Sequence, residues 1–210
     1  ATRIGARHAD RAAAADPPAG RPTSSATKPS LVVQMLRHGM ITDDSHLLIV
    51  GTGSGYSTAL ACARLGEKQV SSVDVDDYLV AAARERLAAA GLNPGLTQMD
   101  ATRQVPGEAD RIVSMVAVRP VPAAWLAALP TGGRLVTTLT NMPVIITADK
   151  THDGGAEGRV EWDRAGFMAA RLGTDYPPGL KTRLDAAWHK EGEQVSTGRY
   201  PVLDVREAWD

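Results

Sequence analysis

The chain has 210 residues, a formal net charge of -1, and 43% hydrophobic but only 4% aromatic residues. That length suits one α/β domain with appendages, and its core must be built from Ala, Val, Leu and Ile. The charge balance excludes a long-range pull toward nucleic acid or an anionic membrane, no apolar run reaches the ~20 residues that span a bilayer, and the single Cys62 excludes an intrachain disulfide.

Residues 1–29 are rich in Ala, Arg, Pro and Ser and read as an irregular arm. Leu31, Val32, Met35 and Leu36 then recur at helical spacing, with Gly39 as the stop. The apolar run Leu47-Leu48-Ile49-Val50 predicts a buried parallel strand. A helix is expected over 57–65, a strand over 70–73, and a helix over 78–90 capped by Asp76 or Asp77. Further strands are expected over 96–99, 111–116, 134–139 and 144–147, with a short helix over 122–129. The alternation predicts an α/β fold with a doubly wound, mostly parallel sheet. Beyond Asp149 the pattern gives a turn at Asp153-Gly154-Gly155, a strand over 159–162 and a helix over 180–190. The expected division is an arm (1–29), a ligand-binding domain (30–150) and a C-terminal extension (151–210). The chain starts at Ala1 without an initiator Met and stops at Asp210 within a helical pattern, so both ends read as trimmed. With no secretory h-region in view, the expected setting is cytoplasmic.

Three sites fall at successive strand ends. Gly51-Thr52-Gly53-Ser54-Gly55-Tyr56 follows the first strand and opens a helix, so a ligand there lies at the carboxyl edge of the sheet. Its G-x-G-x-G spacing differs from the G-x-G-x-x-G dinucleotide fingerprint. By itself the loop reads equally as turn chemistry. Asp74 ends the second strand, where nucleotide folds set a carboxylate on ribose hydroxyls. Its other reading is a cap for the next helix, a task Asp76 and Asp77 fill better. Asp100, with Ala101, ends the third strand, where it reads either as an acceptor for an adenine amino group or as a turn residue.

These sites, followed by Asp110-Arg111-Ile112-Val113 and Leu129-Pro130-Thr131-Gly132-Gly133-Arg134-Leu135-Val136, resemble a class I methyltransferase that uses S-adenosyl-L-methionine (SAM). The closer resemblance is to the protein-L-isoaspartate O-methyltransferase family, with its V-L-x-I/V-G-S/T-G-S-G-Y strand and loop and its T-I-S-x-P segment. Thr23-Ser24-Ser25-Ala26 stands at the place of that segment, and the similarity covers residues 22 to about 140. The resemblance implies a Rossmann-like seven-stranded methyltransferase fold with the family's modified strand order. It implies SAM as cofactor, S-adenosyl-L-homocysteine as its product, and methyl esterification of a peptide or protein carboxylate such as isoaspartate. The peptide of a natural-product precursor is one such acceptor. By the same resemblance Ser25 stands beside the reacting carboxylate, and Thr23, Ser24 and Ala26 close over the cofactor. The implied cofactor set continues with Gly51, Thr52, Gly53, Ser54, Gly55 and Tyr56, then Asp74, Val75, Asp100, Ala101 and Val116. The chain departs from the family at Ile49, where methyltransferases carry Asp or Glu, at Thr27 in place of proline, and at Lys28 and Ser30 in place of histidines. The family's V-P-R-x-x-F segment is missing.

Five scattered histidines show no ligand spacing, so no metal is expected. Cys62 reads as core. Lys28 and Arg37 read either as contacts for a substrate carboxylate or as solvated surface. Thr147 to Lys150 borders the site or forms a loop, and Trp162, Phe167 and Met168 line a substrate mouth or pack in the core. Two other functions fit the same residues: a small-molecule methyltransferase, and a SAM-binding module without turnover inside a larger protein. A nicotinamide dehydrogenase fits less well, for want of the glycine spacing.

Overall fold

Every side chain of Leu47–Val50 (β1) is buried, as a strand covered on both faces requires. The computed structural model describes residues 24–171. In chain order the other strands are Val70–Asp74 (β2), Gly95–Gln98 (β3), Arg111–Val118 (β4), Arg134–Leu139 (β5), Ile145–Lys150 (β6) and Ala156–Val160 (β7). They form one sheet in the order β3-β2-β1-β4-β5-β6-β7. β1 to β5 pair in parallel, and β6 and β7 are antiparallel to their neighbours. The sheet is therefore doubly wound and mostly parallel, as the alternation of elements predicts.

Four α-helices among the described residues cover it: Pro29–His38 (α1), Tyr56–Leu65 (α2), Asp77–Ala89 (α3) and Ala123–Ala128 (α4). The period of two along β1 divides its side chains between two cores. Leu47 and Ile49 join Met35 of α1 and Ala61, Cys62 and Leu65 of α2 on one face. Leu48 and Val50 join Trp125 of α4 and Leu129 on the other. α1 starts with Pro29 in its first turn and ends with Arg37 and His38, which suit the helix dipole. At α3, Asp76 is the cap, its carboxylate accepting from the N–H groups of Tyr78 (3.0 Å) and Leu79 (3.3 Å).

The sequence places β7 at 159–162, whereas the strand runs from Ala156 to Val160. A turn sets that register: Thr151 N–H donates to the Gly155 carbonyl at 3.0 Å, and the Asp153 carboxylate accepts from Gly155 N–H at 3.0 Å. The chain therefore leaves the turn already paired, Ala156 opposite Lys150. The same hairpin lengthens β6 to Lys150, three residues past its expected end, and carries the sheet across the boundary drawn at 150. Thr147 to Lys150 is thus strand, not loop. The helix expected over 180–190 lies outside the described residues. No helix among the described residues is long and apolar enough to cross a membrane.

Candidate functional site

The chain winds outward from β1 to β3, then returns to β4 on the other side of β1. That reversal opens a crevice outside the carboxyl ends of β1 and β4, where open α/β sheets take ligands. The 51–56 loop fills one wall. It is pinned from below, with the N–H groups of Gly51 (2.8 Å) and Thr52 (3.1 Å) donating to the Val73 carbonyl of β2. Thr52 Oγ1 and Ser72 Oγ are 2.7 Å apart and buried. Gly51 has φ +92°, and a Cβ there would lie 2.9 Å from Val116 Cγ1, so only glycine fits. At Gly53 (φ +50°) a Cβ would meet only Ser24 Oγ at 3.9 Å, since this glycine fronts the crevice.

Asp74, at the end of β2, is held by main-chain donors on both carboxylate oxygens. Oδ2 accepts from Gly53 N–H at 2.9 Å and Oδ1 from Asp76 N–H at 3.2 Å. Each oxygen keeps acceptor capacity toward the crevice, enough for a pair of hydroxyls. Burial pushes the Asp74 carboxyl above the usual range, while those two N–H groups and the Arg171 guanidinium pull it back. Asp76 does cap α3, and Asp74 faces the crevice.

Asp100 is more occupied. Its Oδ1 accepts from Thr102 N–H at 2.9 Å and Thr102 Oγ1 at 2.6 Å, and Oδ2 pairs with Arg103 Nε at 3.3 Å. The turn reading of Asp100 is therefore realised, and its carboxylate also borders the crevice. Ala101 is fixed from behind: its carbonyl accepts from the buried Trp125 Nε1 at 2.7 Å. Val75, Met99, Ala101, Val116 and Trp125 contribute apolar surface to the lining of the crevice.

Ser24 and Ser25 approach over the loop from before α1. Ser24 is buried and Ser25 exposed, and both line the crevice. Ala26 is exposed and does not line it, whereas Thr27 does. Thr23 lies outside the described residues. Gly51 to Ser54 and Tyr56 line the crevice; Gly55 instead backs the loop against α3, where a Cβ would sit 3.3 Å from Ala83 Cβ.

One wall was barely foreshadowed in the sequence. Past the point where β1 ends, β4 breaks register between Val113 and Ala117. Ser114 Oγ holds that irregularity by donating to the Val116 carbonyl at 2.7 Å. Residues 168–170 return alongside it: Ala117 N–H donates to the Met168 carbonyl (2.8 Å) and its carbonyl accepts from Ala170 N–H (2.7 Å). Met168, Ala169, Ala170 and the buried Arg171 thereby line the crevice, and Arg171 Nη2 lies 3.4 Å from Asp76 Oδ2. The only early signal was Met168. Phe167 packs against the core instead, and Trp162 is fully exposed at 102%, in neither role expected of it. Lys28 and Arg37 are solvent-exposed and outside the crevice; Thr147 to Lys150 also lie outside it, with Thr147 and Ala148 buried in the sheet. Ile49 is fully buried beneath α1 and α2 and does not reach the crevice. No cluster of potential metal ligands occurs among the described residues.

The sequence model of the protein-L-isoaspartate(D-aspartate) O-methyltransferase (PCMT) family matches residues 15–164. Among curated proteins the chain is 32% identical over 133 residues to a protein-L-isoaspartate O-methyltransferase of Ignicoccus hospitalis, covering 60% of this chain and 63% of that one. It is 39% identical over 114 residues to the corresponding protein of Methanoculleus marisnigri, covering 52% and 50%. The chain thus spans between half and two thirds of the length of these relatives. Among solved structures, a protein-L-isoaspartate O-methyltransferase superposes with a TM-score of 0.65 at 22% identity, covering 75% of this chain and 52% of that one. A Plasmodium falciparum protein of the beta-aspartate methyltransferase type, solved in complex with S-adenosyl-L-homocysteine, gives 0.62 at 14% identity, covering 71% and 77%. At these identities the structural likeness is one of fold.

Proposed function

The chain belongs to the protein-L-isoaspartate(D-aspartate) O-methyltransferase family, and on that premise we propose that it moves a methyl group from SAM to a carboxylate of a peptide or protein, an isoaspartyl carboxylate being the first candidate. The observation that carries this reading is the joint placement of the Gly53–Asp74 hydrogen bond and Ser25 on one crevice.

The residues present suit the cofactor. Gly51 and Gly53 leave the main chain open for a methionyl part to lie across. Asp74 offers acceptors for two ribose hydroxyls, and the apolar lining from Val75, Met99, Ala101 and Val116 suits an adenine. When bound, SAM supplies an electrophilic methyl on a sulfonium. A carboxylate attacks such a carbon without a general base, so the protein's task is positioning and exclusion of water, worth on the order of 7–11 kcal/mol at best. No hydrogen bond among the described residues engages the hydroxyl of Ser25. It is free to donate one to the acceptor carboxylate, orienting an oxygen while leaving its charge in place. Met168, Ala169 and Ala170 also line the crevice.

Titration calorimetry with S-adenosylhomocysteine, paired with a methyl-transfer assay on an isoaspartyl peptide, tests the proposal. Binding together with a base-labile methyl ester on the peptide is the expected result. Binding without turnover on any carboxyl or small-molecule acceptor leaves a cofactor-binding module, and absence of binding removes the proposal altogether.

A further inference from the structure

β7 closes one side of the sheet, and all five of its residues are exposed. Its ladder with β6 pairs Thr147 with Arg159, Ala148 with Gly158 and Asp149 with Glu157. One rung beyond, Glu161 N–H donates to the Ile145 carbonyl at 2.9 Å. Alternate residues of an antiparallel strand bond to the same neighbour. Residues 157, 159 and 161 therefore turn their main-chain groups toward β6, and Ala156, Gly158 and Val160 turn theirs outward. Among the described residues nothing takes those outward groups. The opposite edge is guarded: Arg84 Nη2 donates to the Leu96 carbonyl of β3 at 2.9 Å. An unguarded edge is a template for another strand.

The sequence of β7 is matched to itself. Around Gly158, Glu157 and Arg159 stand symmetrically, and so do Ala156 and Val160. We propose that β7 is a dimerisation strand, on which a second copy of this chain pairs antiparallel about Gly158 to join two sheets into one. In that register Gly158 exchanges main-chain bonds with the partner's Gly158, and Ala156 with the partner's Val160. Glu157 faces the partner's Arg159 twice over, at the non-bonded positions where side chains approach most closely. The half-exposed Val160 (58%) is set against a small residue, and its apolar surface is covered. Sliding the pairing by two residues either way sets Glu157 against the partner's Glu157 or Arg159 against the partner's Arg159, so charge selects one register.

The test is sedimentation equilibrium of the full chain over a concentration series, with circular dichroism as a control on folding. The expected result is a concentration-dependent dimer. Glu157→Arg and Arg159→Glu each raise its dissociation constant about tenfold or more, and the double exchange restores it. Val160→Pro removes an outward N–H while sparing every bond to β6, and also yields monomer. A wild-type chain that is monomeric at every concentration, as when its own flanking residues or another protein occupy the edge, overturns the proposal. A dimer indifferent to the single charge changes overturns it equally, because another surface then forms the contact.

Discussion

The main-chain N–H of Gly53 donates to Oδ2 of Asp74 across 2.9 Å, tying the apex of the glycine loop to the end of β2. One carboxylate thereby both shapes the loop and presents its remaining acceptors to the crevice. Asp74→Ala is expected to weaken S-adenosylhomocysteine binding by roughly 10- to 100-fold, the scale of a lost charged hydrogen bond, in calorimetry with the circular dichroism spectrum unchanged.

The same group gives two opposed pH dependences. Its carboxyl is held above the ordinary range, chiefly by burial. A raised folded-state value means that its contribution to stability is fully present below the unfolded value and is lost as pH rises through the folded one. Binding runs the other way, because protonation removes the charge that receives the hydroxyls. As pH falls through the raised value, ligand affinity is expected to decline while the melting temperature of the free protein gains. Asp74→Asn is expected to lack both limbs.

Ser25→Ala is expected to slow methyl transfer by about ten- to a hundredfold while leaving S-adenosylhomocysteine affinity within about twofold. Equal loss in both measurements would place Ser25 on the cofactor instead of the acceptor.

Trp125→Phe replaces the buried indole with a smaller ring, leaving a void, and removes the Nε1–H that the buried Ala101 carbonyl accepts at 2.7 Å. An orphaned buried carbonyl costs about 1–3 kcal/mol. Both the melting temperature and the affinity for the adenosine portion should fall, and adenosine binding alone, measured by calorimetry, reads out the second effect.

Ile49 stands where methyltransferases carry an acid, yet it is fully buried among Met35, Ala61, Cys62 and Leu65. Ile49→Glu is therefore expected to destabilise the fold by about 3 kcal/mol or more, the cost of an unpaired buried charge, and not to improve cofactor binding. Urea unfolding measures the first and calorimetry the second.

The neighbouring thiol follows from the same core. Burial, helped by Glu67, pushes the Cys62 thiol up to about 11. At pH 8 only about one molecule in a thousand carries the reactive thiolate, so labelling by a disulfide reagent should be slow in the native protein and fast in denaturant.

Local signals made the first half of the site legible. The run Leu47–Val50 is buried on both sides, which its unbroken apolarity announced, and Asp76 took the helix cap that left Asp74 for the crevice. The second half lacked such signals. The return of 168–170 to Ala117 depends on main-chain groups freed by an irregularity in β4, which side-chain periodicity does not reveal. The shift of β7 came from turn chemistry at Asp153, which outweighed the apolar look of Val160 and Trp162. Asp100 carried two readings because its fate depended on Thr102 and Arg103.

Ser24 and Ser25 line the same crevice as residues 168–171, so two segments far apart in the sequence come together there. Closing a loop of that length carries an entropic cost that rises only logarithmically with the number of residues. A molecule seated between the two segments therefore acts as a removable staple. It should shield the 168–171 segment from proteases and slow its amide exchange well before it alters the centre of the sheet, making occupancy visible as order in the two segments it joins.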